Sequence, residues 1–174
     1  MERFSITKGD IVKAKTDAIV NAANTSLLGG GGVDGAIHAA AGEELLRECE
    51  ELGGCSRGEA KITQGYKLKA KYVIHTPGPI WRGGKWGEED VLASCYRKSL
   101  ELAVENGIKT IAFPSISTGV YRFPVEDAAG VAVKEICRFL ETDEFLEHVS
   151  VVCFDDITKA AFVKALDGYE NPKD

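Results

Sequence analysis

Four short apolar runs punctuate the chain: "AIVNAA" at 18–23, "KYVIHT" at 71–76, "TIAFP" at 110–114 and "VSVVCF" at 149–154. Runs of this length fit strands buried on both faces. Between them the apolar period lengthens to three or four residues. Ile37, Ala41, Leu45, Cys49 and Leu52 predict a helix that stops at Gly53-Gly54, and Val91, Cys95, Ser99, Leu102 and Ala103 predict another that ends at Asn106-Gly107. A third helix is predicted from Pro124, whose missing N–H is harmless in a first turn, with Glu126 and Asp127 suited to the positive end of the dipole. Its stripe is Val125, Ala128, Ala132, Val133, Ile136 and Leu140. "ITKAAFVKALDG" supplies a fourth, before a polar tail at 169–174. Strands alternating with helices predict an α/β protein, a three-layer α/β/α sandwich around a central mixed, largely parallel sheet. Without internal repeat or low-complexity linker, residues 1–168 read as a single domain.

In open α/β sheets a ligand binds in the crevice beyond the carboxyl ends of the strands. Three loops qualify: "NTSLLGGGGVD" after 18–23, "SISTGVYRF" after 110–114, and "DD" after the last run. Two of them carry glycine ahead of a predicted helix, so two sets of free N–H groups and two helix dipoles are expected to converge on a pyrophosphate.

Composition narrows the classes. Apolar and charged fractions of 44% and 28% are those of an ordinary globular protein. No apolar run approaches the ~20 residues that cross a bilayer, and no signal-peptide core follows Met1, so a cytoplasmic protein is expected. Five scattered cysteines without CxxC spacing argue against zinc and against a disulfide framework. The net charge of -6 disfavours nucleic acid as a partner, since backbone binding works through Lys and Arg. An acidic protein that binds phosphate needs backbone N–H groups, and the run Gly29-Gly30-Gly31-Gly32 offers them.

Gly30, Gly32 and Gly35 satisfy the dinucleotide pattern G-x-G-x-x-G, but its context is missing. The stretch from Asn24 separates strand from glycines, and the position that should carry an answering acid falls in the turn "ELGGCSRGE". A phosphate loop of the Walker type fails because no Gly-Lys-Ser/Thr follows.

Taken together, "KGDIV" (8–12), "VNAAN" (20–24), "GGGGVDGAIHAAAG" (29–42), "VIHTPGPIW" (74–81) and "SISTGVYRFP" (115–124) closely resemble the macro domain family. Within it they resemble the branch of bacterial O-acetyl-ADP-ribose deacetylases and MacroD-type mono-ADP-ribosyl hydrolases. The blocks occur in order over nearly the whole chain. Neither the added cysteine and histidine pattern of zinc-dependent macro domains nor the paired glutamates of poly(ADP-ribose) glycohydrolases is present.

The resemblance implies an ADP-ribose pocket, with O-acetyl-ADP-ribose and mono-ADP-ribosylated proteins as substrates, and neither metal nor cofactor. It implies that Asp10 accepts from the adenine amino group, with Ile11 lining that pocket and Phe154 stacking on the base. It implies that Asn24 binds the distal ribose, and that Asp34 orients or activates the attacking water beside the substrate's own phosphate. It further implies a phosphate cradle of Gly30, Gly31, Gly32 and Val33 with Ser117, Thr118, Gly119 and Val120, and Tyr121 over the distal ribose.

Each position also has a structural alternative. Asp10 and Asn24 suit turns, Asp34 suits the first turn of a helix, and Phe154 and Tyr121 suit packing. Asn21 is assigned to an Asx-turn, and His38 to a hydrogen-bonded structural role behind the pocket. Arg122 stands where the better-known hydrolases carry glycine, and either shapes the rim or meets a substrate phosphate or carboxylate. Trp81 and Trp86 flank "RGGK" in a flexible-looking loop suited to a partner. A monomeric hydrolase is expected, with a non-catalytic ADP-ribose reader as the alternative.

Overall fold

A computed structural model describes residues 1–173. The strands are β1 (Phe4–Lys8), β2 (Ala18–Ala23), β3 (Lys61–Gln64), β4 (Tyr72–Pro77), β5 (Thr110–Phe113) and β6 (His148–Cys153). They form one sheet in the order β1-β6-β5-β2-β4-β3. Every pairing is parallel except β3 with β4. The four strands foreseen in the apolar runs are present. β1 and β3 lie at the two edges, where one side is free of ladder bonds. Their polar residues, with Lys8 and Lys61 among them, mask the short apolar signal.

The helices are α1 (Gly32–Ala41), α2 (Glu43–Leu52), α3 (Glu88–Glu105), α4 (Val125–Thr142) and α5 (Asp156–Glu170). They cover both faces of the sheet, giving the expected three layers. Under α1 and α2 a core is built from Ile19, Leu27, Ile37, Leu45 and Val73. Under α3, α4 and α5 a larger one gathers Tyr96, Phe113, Ile136, Val151 and Phe162.

Three expectations are corrected. The single helix read from Ile37 to Leu52 is two helices, because Gly42 turns the chain at φ +92°. The apolar period survives the break because α1 and α2 bury Ile37, Ala41, Leu45 and Cys49 in the same core. The last helix runs through Tyr169 and Glu170, anchored by a hydrogen bond from the Tyr169 hydroxyl to Glu141, so the tail outside regular structure begins at residue 171 rather than 169. Pro124 is the residue that caps α4, one position before its first turn.

A fourth correction concerns the loop between Trp81 and Trp86, which is tied down. The buried Glu88 carboxylate accepts backbone N–H bonds from Arg82 (2.9 Å), Gly84 (2.8 Å) and Trp86 (2.6 Å). Burial alone would raise its pKa, but these donors hold it down at about 2. Trp81 packs on Phe123, whereas Trp86 is exposed.

Among the described residues no helix is long and apolar enough to cross a membrane. All five cysteines are free and buried. Burial pushes the thiols of Cys49, Cys95, Cys137 and Cys153 up to about 11, which makes them poor nucleophiles.

Candidate functional site

The parallel strands end together, and a cavity of about 670 Å³ opens beyond their carboxyl ends. All the residues singled out as the ADP-ribose site line it. Asp10 and Ile11 follow β1, Phe154 follows β6, Ser117 to Tyr121 follow β5, and Asn24 with Gly30 to Asp34 follow β2. The cavity therefore runs along the sheet edge from β1 and β6 to β2 and β4. Phe154 stands at one end and Asp34 at the other.

The glycine loop is shaped by close approach. Gly29 and Gly32 adopt φ of +92° and +57°, where L side chains are strained. A Cβ on Gly35 would collide with the carbonyl oxygen of Gly30, and one on Gly30 would lie 3.1 Å from Asp34 Oδ2. These contacts let α1 begin against the loop, with Gly31 as its cap and Gly32 as its first residue, both lining the cavity. Free N–H groups of the first turn thus face the cavity, as an anion site requires.

The second expected dipole is displaced. Helix α4 starts at Val125, and the 117–121 loop itself, not the helix, meets the cavity. Ser117 holds φ +67°, and its buried Oγ has no partner among the described residues. Gly78 lies against it so closely that a Cβ there would overlap Ser117 Oγ. Arg122 takes φ +62°, a left-handed conformation that favours glycine, and donates its N–H to the Gly119 carbonyl at 3.0 Å. At the far end the foreseen "DD" loop contributes Asp155, the cap of α5, and the helix adds Thr158, which was not foreseen, although the Asp155 carboxylate occupies the Thr158 N–H.

Asp34 is 5% exposed and sits in the third position of α1. Its Oδ1 accepts from Asn21 Nδ2 at 2.8 Å. Burial raises its pKa, opposed by the Asn21 hydrogen bond and by His38. Asn21 also meets His75 Nδ1 at 3.1 Å, and His75 Nε2 meets Thr63 Oγ1 at 2.9 Å. Thr63 in turn donates to the Gln64 carbonyl. These partners assign the proton of His75 to Nε2 and leave Nδ1 to accept from Asn21. Burial, with the nearby His38, lowers the His75 pKa to about 3, so the ring is neutral.

Of the two asparagines of "NAAN", it is Asn24 and not Asn21 that makes the expected turn. Asn21 lies fully buried inside β2 and makes no Asx-turn; it positions Asp34. The turn belongs to Asn24, whose Oδ1 accepts from Leu27 N (3.1 Å) and Ser26 Oγ (2.6 Å). Asn24 Nδ2 donates to Gly29 O at 2.7 Å, leaving one amide hydrogen for a ligand. Asp10 likewise caps the short turn at Ile11–Lys13 while lining the cavity. Phe154, by contrast, is 84% exposed, which excludes core packing as its purpose.

His38 lies outside the cavity lining, as expected, but it lacks the expected hydrogen bond. Its Nε2 is buried without a partner and lies 3.5 Å from Asp34 Oδ1. The residues that sequence reasoning missed are Asn21, His75 and Thr63. Asn21 and His75 were marked only by polarity within runs read as buried strands, and Thr63, on the edge strand β3 that the apolar runs did not reveal, carried no mark.

The fold is that of a macro domain, and the family profile for "Macro domain" matches residues 20–132. The chain belongs to the macro domain family. A "Macro domain-containing protein" of Methanosarcina mazei is 61% identical over 166 residues, covering 95% of this chain and 89% of its relative. A Xenopus laevis protein named ADP-ribose glycohydrolase MACROD2 is 54% identical over 99% of this chain, which spans 42% of that longer protein. Among solved structures, the Oceanobacillus iheyensis macrodomain with ADP superposes with a TM-score of 0.92 at 44% identity, covering 97% of this chain and 92% of its own. The Trypanosoma brucei macrodomain in complex with ADP-ribose gives 0.89 at 43% identity, covering 94% and 69%.

Proposed function

We propose that this protein binds ADP-ribose in the sheet-edge cavity and hydrolyses the ester that joins it to acidic protein side chains, and that it also deacetylates O-acetyl-ADP-ribose. The observation that carries the reading is the Asp34 carboxylate, buried and held by Asn21 at one end of a cavity whose other end carries the exposed ring of Phe154. An aromatic face suits a base, the glycine loop suits a pyrophosphate, and a carboxylate with a raised pKa suits a proton acceptor near neutral pH. The neighbours crystallised with ADP and ADP-ribose, and the relative named a glycohydrolase, support the same reading.

In the proposed reaction, water adds to the ester carbonyl and Asp34 takes its proton, beside the substrate's own phosphate. The ribose oxygen then leaves with a proton returned to it, giving ADP-ribose and a carboxylic acid. Asn24 and Tyr121 hold the ribose, and the two loops hold the pyrophosphate. Positioning of this kind contributes up to ~7–11 kcal/mol, and proton transfer adds ~10²–10⁴-fold. The protein works as a cytoplasmic monomer without metal or cofactor.

A reader that binds without cleaving is the second reading, favoured by the engagement of Asn24 in its own turn. The test is release of ADP-ribose from a protein modified on Glu or Asp, and of acetate from O-acetyl-ADP-ribose, by the wild type and by folded Asp34→Ala and Asn24→Ala. Expected is turnover by the wild type that Asp34→Ala lowers about 10²–10⁴-fold. Tight ADP-ribose binding with no product from the wild type would leave the reader.

A further inference from the structure

The cavity is not bounded by empty surface at its Asp34 end. Thr25, the residue after Asn24, and the 53–61 segment enclose an adjoining open cleft of about 660 Å³. One side chain joins the two spaces. Arg57 lines the cleft, its Nη1 donates to the Gly78 carbonyl at 2.7 Å, and its guanidinium lies over the Tyr121 ring, 5.2 Å from the centroid. Gly78 and Tyr121 both line the main cavity.

The charges of the cleft are unequal in freedom. Lys61 lines it, but its ammonium is engaged with the carbonyls of Leu52 (3.0 Å) and Gly54 (2.6 Å). Arg57 is exposed and uses one donor on Gly78. A guanidinium has five N–H donors in a rigid fork. Packed on Tyr121 and held at one end by Gly78, it keeps an edge open for the two oxygens of a carboxylate. Glu59 adds a negative charge to the same wall, which disfavours a polyanion and leaves a site for a single acidic group.

Direction follows from the main cavity. With the base at Phe154 and the ester at Asp34, the acyl group must leave past Asp34, on the β2 and β4 side where the cleft opens. Resting on the hydrolase reading above, we propose that this cleft receives the polypeptide bearing the modified Glu or Asp, and that Arg57 determines specificity by binding a carboxylate beside the modified position. The preferred substrates are therefore proteins in which the modified residue has one acidic neighbour placed to reach Arg57.

The test uses two peptides that carry ADP-ribose through a hydrolysis-resistant linkage, one flanked by Glu and one by Gln. Each is titrated into the wild type, Arg57→Met and Arg57→Lys at low and high salt, with free ADP-ribose titrated alongside. The wild type is expected to bind the Glu-flanked peptide roughly threefold to tenfold more tightly, with a preference that shrinks as salt rises. Arg57→Met should bring the ratio to one, and Arg57→Lys should restore it only in part, having charge without the fork. Each ratio is taken within one protein, so a general loss of affinity does not imitate the result. Equal affinities in the wild type, or a preference that survives Arg57→Met, would overturn the assignment of Arg57. Failure of the wild type to bind free ADP-ribose would instead remove the reading of the main cavity, and this proposal with it.

Discussion

Asn21 Nδ2 lies 2.8 Å from Asp34 Oδ1, joining the interior of a buried strand to the first turn of α1. A carboxylate at a helix start can choose among several rotamers; this one is fixed by a donor that is itself fixed by His75. Asn21→Ala removes the donor. Because that hydrogen bond lowers the Asp34 pKa, its loss should move the acid limb of the pH–rate profile upward. The variant should also lose about 1.5–3 kcal/mol of stability, the usual worth of a hydrogen bond to a charged group. An unshifted limb alongside normal turnover would show that Asn21 does not act through Asp34.

Phe154 separates affinity from stability. At 84% exposure it contributes little to the core, so Phe154→Ala should change the unfolding free energy by less than about 0.5 kcal/mol. Stacking on a base is worth about 1–3 kcal/mol, so the Kd for ADP-ribose should rise by roughly fivefold to a hundredfold. Calorimetric titration decides the point, and an unchanged Kd would place the base elsewhere.

His75 gives the fold a pH dependence of predictable sign. Its pKa falls from 6.5 to about 3 on burial, so the unfolded chain takes up a proton that the folded chain refuses. Between these values the unfolded state binds more protons, and stability declines as pH drops from about 6.5 towards 3. The loss is on the order of a few kcal/mol. His75→Gln should flatten this part of the slope in urea unfolding followed across pH. A variant as acid-sensitive as the wild type would assign the slope to other groups.

Glu88 predicts the order of the loop between the two tryptophans. Glu88→Ala leaves the N–H groups of Arg82, Gly84 and Trp86 without their acceptor, and these amides should lose hydrogen-exchange protection while those of the sheet keep theirs. In the wild type the carboxyl is held at about 2, below its ordinary 4.5. Its contribution is therefore complete above pH 4.5 and is lost as pH falls towards 2. Protection that is the same in the variant would mean that other contacts hold the loop.

The sequence by itself determined the central strands, because four parallel segments covered by helices are predominantly apolar and so announce themselves. It determined the lining of the cavity as well. Gly30, Gly31, Gly32, Asp34 and Phe154 sit in the loops and the helix start that a parallel sheet brings to one edge, whichever partners its strands choose. The break at Gly42 stayed hidden because hydrophobic period reports the buried face and not the continuity of the backbone; two helices packed on one core read as one. The edge strands stayed hidden for a related reason, since a half-solvated ladder needs little apolar sequence. Only the tertiary structure decided which asparagine holds Asp34. Asn21 and Asn24 are chemically identical and three residues apart, and their roles depend on direction: one points from the strand towards His75 and α1, while the other closes the turn that follows. The same holds for Arg57, far from Tyr121 in sequence and placed over its ring by the fold alone.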